Sequence, residues 1–219
     1  MFVLTIDQRA SRSNPDHVPE LLEDLTARLE DDVVLLPFVR TVGDEVQGVL
    51  SDPVAVVDLV LHLARTGGWS VGVGAGAGEL ASAADGGAPA SSGAAFVHAR
   101  TAVERAKGRT VANDLAVHAD DAVAAARAEA VLQLLASVVR RRTATQWRAL
   151  DLLERPGATG VEVAAALGVT PQNVSKLGRD ALWQEEQDAR AVAAHLLLAA
   201  DPAWGGPRRP SLRGVVGGG

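Results

Sequence analysis

The chain has 219 residues, 47% of them hydrophobic but only 3% aromatic and with no Tyr, so a core must be built from Val, Leu and Ala. It has no Cys, which excludes disulfides and cysteine-based metal or nucleophilic sites. The formal net charge of −6 is unevenly placed: residues 1–139 carry −9 and residues 140–219 carry +3, so the C-terminal part is where a polyanionic partner is expected.

In chain order, Phe2 to Ile6 is an apolar run that predicts a buried strand ending at Asp7. Val18, Leu21, Leu22, Leu25 and Leu29 recur at helical spacing and predict a helix over 17–30. Val33 to Val42 and Val46 to Leu50 read as two strands joined by a Gly43-Asp44 hairpin turn. Asp52 is placed to cap a helix that has Pro53 in its first turn and is stopped by Gly67-Gly68. Trp69 to Val73 reads as a strand, 74–93 as a long Gly-, Ala- and Ser-rich loop, and 94–107 as a helix. Leu115 to His118 reads as a last strand and 120–142 as a long Ala-rich helix.

The order β-α-β-β-α-β predicts an α+β fold, ferredoxin-like or palm-like, over residues 1–120. A connecting helix is expected over 121–142, an all-α helix-turn-helix domain over 143–200, and a disordered tail over 201–219. The first residues show no basic segment or cleavage signature, and runs such as Val192 to Ala200 fall short of the roughly 20 residues a membrane span needs. The expectation is a soluble cytoplasmic protein.

The helix-turn-helix reading rests on three short helices. Thr145 to Glu154 turns Trp147, Leu150 and Leu153 inward, and Pro156-Gly157 ends it. Val161 to Leu167 turns Val163, Ala164 and Leu167 inward, and Gly168-Val169-Thr170 is a tight turn with Gly suited to the left-handed conformation. Pro171, capped by Thr170, opens a helix with Val174, Leu177, Ala181 and Leu182 inward. Its outward residues are Gln172, Asn173, Ser175, Lys176 and Arg179. Gln and Asn suit adenine edges, Arg suits guanine, and Lys suits phosphate. Double-stranded DNA is the expected partner, with Arg140-Arg141-Arg142 adding positive charge just before. A small helical bundle for dimerisation would use the same inward residues. Because such proteins usually bind paired half-sites, a homodimer is expected, through Val123, Leu132, Leu135 and Val139 or through Val192, Leu196 and Leu197.

In the acidic part, Asp7 at a strand end and Asp44 in the hairpin turn are expected to converge at one edge of the sheet and to hold Mg²⁺, which takes one or two carboxylates plus phosphate oxygens. Turn chemistry and a loop cap account for the same two residues without a metal.

Three stretches carry resemblances. Residues 162–182, EVAAALGVTPQNVSKLGRDAL, resemble the DNA-binding modules of sigma-factor region four and of winged MarR-like regulators. Residues 2–11, FVLTIDQRAS, and 40–50, RTVGDEVQGVL, look like the metal-binding strand and hairpin of class III nucleotide cyclases and GGDEF-type diguanylate cyclases. Residues 69–78, WSVGVGAGAG, resemble the cyclase strand that runs into a Gly turn. With GAAFVHARTAVERAK at 93–107 and the C-terminal helices, the order over about 2–183 is similar to the SatD family. The resemblance implies metal positions at Asp7 and Asp44. The helix after the glycine strand, Phe96-Val97-His98-Ala99-Arg100, lacks the Asn and Arg pair of the cyclases, and Val42 stands where diguanylate cyclases have Gly. The implied function is a DNA-binding transcriptional regulator with a degenerate, nucleotide-sensing cyclase-like domain. The alternative is a Mg²⁺-dependent cyclase-like enzyme with an accessory DNA-binding part.

Overall fold

The computed structural model describes residues 1–82 and 86–201, so the tail expected over 201–219 lies, beyond Asp201, outside the described residues. The elements are β1 (Phe2–Gln8), α1 (Val18–Arg28), β2 (Val34–Arg40), β3 (Glu45–Leu50), α2 (Pro53–Thr66), β4 (Trp69–Ala75), α3 (Ala94–Ala106), β5 (Leu115–His118), α4 (Ala122–Arg141), α5 (Ala144–Leu153), α6 (Gly160–Leu167), α7 (Pro171–Asp180) and α8 (Trp183–Ala200). The protein is a mixed α+β fold around one five-stranded sheet of order β2-β3-β1-β4-β5. β1 is antiparallel to both β3 and β4, β2 to β3, and β5 runs parallel to β4.

Local chemistry explains most element ends. The Asp52 carboxylate accepts the Val54 N–H at 2.9 Å and starts α2 beside Pro53. Gly43, at φ +64°, makes the hairpin turn that the Glu45 N–H closes onto the Val42 carbonyl at 3.1 Å.

The sheet is covered on both faces, which is why β1 reads as an unbroken apolar run. On one face Phe2, Leu4, Ile6, Val46, Leu50, Val71 and Val73 pack under α1, α2, α4 and α8. On the other, Val3, Val49 and Ala116 meet Ala95, Phe96, Ala99, Ala102 and Ala106 of α3. β4 is two residues longer than expected and takes in Gly74 and Ala75. Its glycines are there for packing: a Cβ on Gly72 would sit 2.2 Å from the Val103 nitrogen, and one on Gly74 would sit 2.2 Å from the Ala95 oxygen. Only Gly lets α3 lie that close to the strand.

α4, expected as a connector, and α8, expected in the second domain, pack on each other and on α2. Leu132, Leu135, Val139, Ala193 and Leu197 join the main core. Truncating Leu132 or Leu197 to Ala would each cost about 2–5 kcal/mol. The residues expected to form a dimer interface are therefore split. Leu132, Leu135, Val139 and Leu197 are buried within the chain, whereas Val123 and Val192 are exposed. By length and composition α4 is long and apolar enough to cross a membrane, the one such helix among the described residues, yet its inner face is part of this core.

Both sheet edges are blunted. β2 carries Pro37 and two register shifts against β3. On β5 the Glu129 Oε2 accepts the Val117 N–H at 2.7 Å, Arg105 donates to the Val117 carbonyl at 3.2 Å, and Gln133 donates to the Leu115 carbonyl at 3.0 Å.

Candidate functional site

α5, α6 and α7 form a small three-helix unit around Val163, Ala164 and Val174, with Leu152, Leu153, Leu167 and Val169 packed beside them. Two capping boxes unrecognised in the sequence begin its first two helices. Thr143 with Gln146 starts α5, and Thr159 with Glu162 starts α6. The Thr-x-x-Gln and Thr-x-x-Glu spacings were the available signal. Gly168 ends α6 at φ +68°, ψ +35°, the Val169 N–H returns to the Ala164 carbonyl at 3.0 Å, and the Thr170 hydroxyl accepts the Asn173 N–H at 3.2 Å to start α7.

α7 buries Val174 and exposes Gln172, Asn173, Ser175, Lys176 and Arg179. The Ser175 hydroxyl donates back to the Pro171 carbonyl at 3.2 Å. The side chains of Gln172, Asn173, Lys176 and Arg179 have no hydrogen bond or ion pair among the described residues. Leu182, expected inward, is instead 45% exposed and sits in the left-handed conformation at φ +52°. The basic triplet is not one patch either. Arg140 pairs with Asp114 at 3.2 Å and Arg142 is buried against Glu186, leaving Arg141 exposed.

Asp7 and Asp44 do come to one edge of the sheet. Asp7 lies opposite Glu45 in the β1–β3 register, and the Gln8 N–H reaches the Asp44 carbonyl at 3.3 Å. They border a cleft of about 440 Å³ with Arg9, Ser11, Arg12, Ser70 and Lys107. The Asp7 carboxylate is already engaged: the Lys107 ammonium lies 2.8 Å away and also reaches Glu104 at 3.2 Å. Burial pushes the Asp7 carboxyl above its ordinary range. Lys107 pulls it down by hydrogen bond and charge, and Asp44 and Glu45 push it up. Among the described residues no group of three or more His, Asp or Glu side chains is placed to hold a metal ion. Lys107 thus meets part of the charge at the two positions expected to hold Mg²⁺: it pairs with Asp7 and not with Asp44. The backbone at Gly72 and Gly74 is covered by α3.

The second feature that local reading missed ties the three-helix unit to the sheet-bearing body. Arg65 of α2 makes two hydrogen bonds to Asp151 of α5, at 2.6 and 2.7 Å, and lies 3.9 Å over the Trp147 ring. No family model, curated protein or solved structure matches this chain.

Proposed function

We propose that the protein is a DNA-binding transcriptional regulator. The α5–α7 unit is a helix-turn-helix domain, with α7 as the helix that enters the major groove. The observation that carries this reading is α7 itself. α7 keeps four polar side chains exposed and, among the described residues, unengaged, on a helix oriented by a glycine turn. Gln172 and Asn173 offer paired donor and acceptor groups to base edges, and Lys176 and Arg179 offer positive charge.

The body is read as palm-like, which the antiparallel order β2-β3-β1-β4 supports. Its cleft at Asp7 is of a size suited to a small ligand. Arg12, exposed and without an ion pair among the described residues, stands with Lys107 for the phosphates of a nucleotide. A rise in melting temperature with nucleotides would support sensing, and no rise with any nucleotide would remove it.

The DNA test is fluorescence anisotropy on duplex DNA at several salt concentrations. Lys176→Ala should weaken binding to all sequences and lower the salt slope by about one phosphate contact. Gln172→Ala or Asn173→Ala should relax sequence preference by about 1–3 kcal/mol per lost base contact. No binding by the intact protein at low salt ends the proposal.

A further inference from the structure

One side chain touches α5, α8 and the residue that follows α7. Arg142 lies between the end of α4 and the start of α5, and its side chain is 2% exposed. Its Nε donates to the carbonyl of Ala181, the residue that closes α7, at 3.0 Å. Its Nη2 lies 2.5 Å from Oε2 of Glu186 in the first turn of α8, an ion pair in which neither atom makes a hydrogen bond among the described residues. Its guanidinium stands 4.9 Å from the centre of the Trp147 ring on α5. Glu186, 1% exposed, takes Nε of Arg190 on Oε1 at 2.8 Å, and Arg190 Nη1 reaches Asp58 of α2 at 2.6 Å. A chain of polar contacts thus runs from the residue that caps α7 to the sheet-bearing body. Burial works against the Arg190 charge, but Glu186 and Asp58 outweigh it and raise its pKa. Between α7 and α8, Leu182 is held in the left-handed conformation, which a branched side chain seldom adopts.

Burying two opposite charges is a poor way to gain stability, since well-packed apolar side chains of similar volume generally serve as well or better. What the ion pair supplies instead is direction. The planar guanidinium donates to the Ala181 carbonyl only at set angles while Glu186 holds its far end by charge, and an apolar pair imposes no such angles. We propose that Arg142 and Glu186 are positioning residues for DNA binding: they set the angle at which α7 leaves the body and so decide which of its side chains reach the phosphates together. This rests on the DNA-binding reading above.

Both side chains are buried, so neither can contact DNA, and any change they cause in the salt dependence must come through α7. The experiment measures duplex affinity against salt for the wild type, Glu186→Gln, Arg142→Lys and the double variant Arg142→Met/Glu186→Leu. Folding of each is followed by urea titration. The expected result is a double variant as stable as the wild type or more so, but with about tenfold weaker binding and a salt slope reduced by roughly 0.9 or more, the loss of at least one phosphate contact. Glu186→Gln and Arg142→Lys should move the slope in the same direction. Partial unfolding alone would lower affinity equally at all salt concentrations and leave the slope unchanged. A folded double variant with the wild-type slope overturns the proposal. So does failure of all three variants to fold, because the pair would then serve the fold and not the aim of α7. If the wild type binds no duplex, the DNA reading falls and takes this one with it. If the wild type binds and the slopes agree, only the positioning role falls.

Discussion

The Lys107 ammonium lies 2.8 Å from the Asp7 carboxylate, at the end of the sheet where Asp44 also stands. Two residues a hundred positions apart form this pair because β1 lies at the centre of the sheet and α3, which leads into Lys107, crosses it. The pair is only partly buried, so Lys107→Ala should cost on the order of 1 kcal/mol at neutral pH. The Asp7 pKa is raised in the folded state, so its contribution to stability is fully present below the unfolded value, about 3.9, and is lost as pH rises through the folded one. Removing Lys107 raises that pKa further. Urea midpoints of the wild type and Lys107→Ala should therefore diverge at pH 7 and converge near pH 4. Mg²⁺ should leave the wild-type midpoint unchanged and raise that of Lys107→Ala, where it can take the place of the ammonium. A Mg²⁺ shift in the wild type would support a metal at Asp7 and Asp44.

His62 gives a second pH signal of opposite sign. Its Nε2 lies 2.5 Å from Asp24 Oδ2. Burial, with help from the charge of Arg28, lowers its pKa, and Asp24 opposes this. A lowered histidine pKa means that the stability it contributes is present above the unfolded value, about 6.5, and is lost as pH falls through the folded one. His62→Gln should flatten the stability profile just below pH 6.5. An identical profile in the wild type and the variant would show that His62 does not titrate differently on folding.

Two Gly→Ala substitutions should differ in sign. Gly72→Ala brings a Cβ 2.2 Å from the Val103 nitrogen, a backbone atom that can yield only if α3 moves away. Overpacking of this kind costs about 3 kcal/mol or more. Gly178→Ala in α7 meets nothing within 4 Å and should stabilise its helix by roughly 1 kcal/mol. Denaturation by urea, followed by circular dichroism, reads both.

The capped edge of β5 makes a further prediction. Glu129→Ala leaves the buried Val117 N–H without an acceptor, which should cost about 1–3 kcal/mol. It also uncovers a strand edge that can pair with another chain. Light scattering should show concentration-dependent association of the variant beyond that of the wild type. Unchanged association would mean that α4 shields the edge by bulk alone.

Features set by contacts three or four residues apart were legible in the sequence. The Asp52 cap, the Gly43-Asp44 hairpin, the Gly168 turn and the polar face of α7 fall into this group, because each depends on backbone geometry within one turn of chain. The capping boxes at Thr143 and Thr159 were equally local and equally readable. The roles that only the tertiary structure decided belong to residues whose partners are remote in sequence. Nothing within a turn of chain gives Gly72 and Gly74 a packing role until α3 is laid across them, and nothing near Asp7 in sequence shows that Lys107 is brought beside it. Arg142 looks like one of three surface cations until α8 folds back and closes Glu186 over it. The apolar faces of α4 and α8 called for a partner, but periodicity does not say which surface covers a face, and here each covers the other.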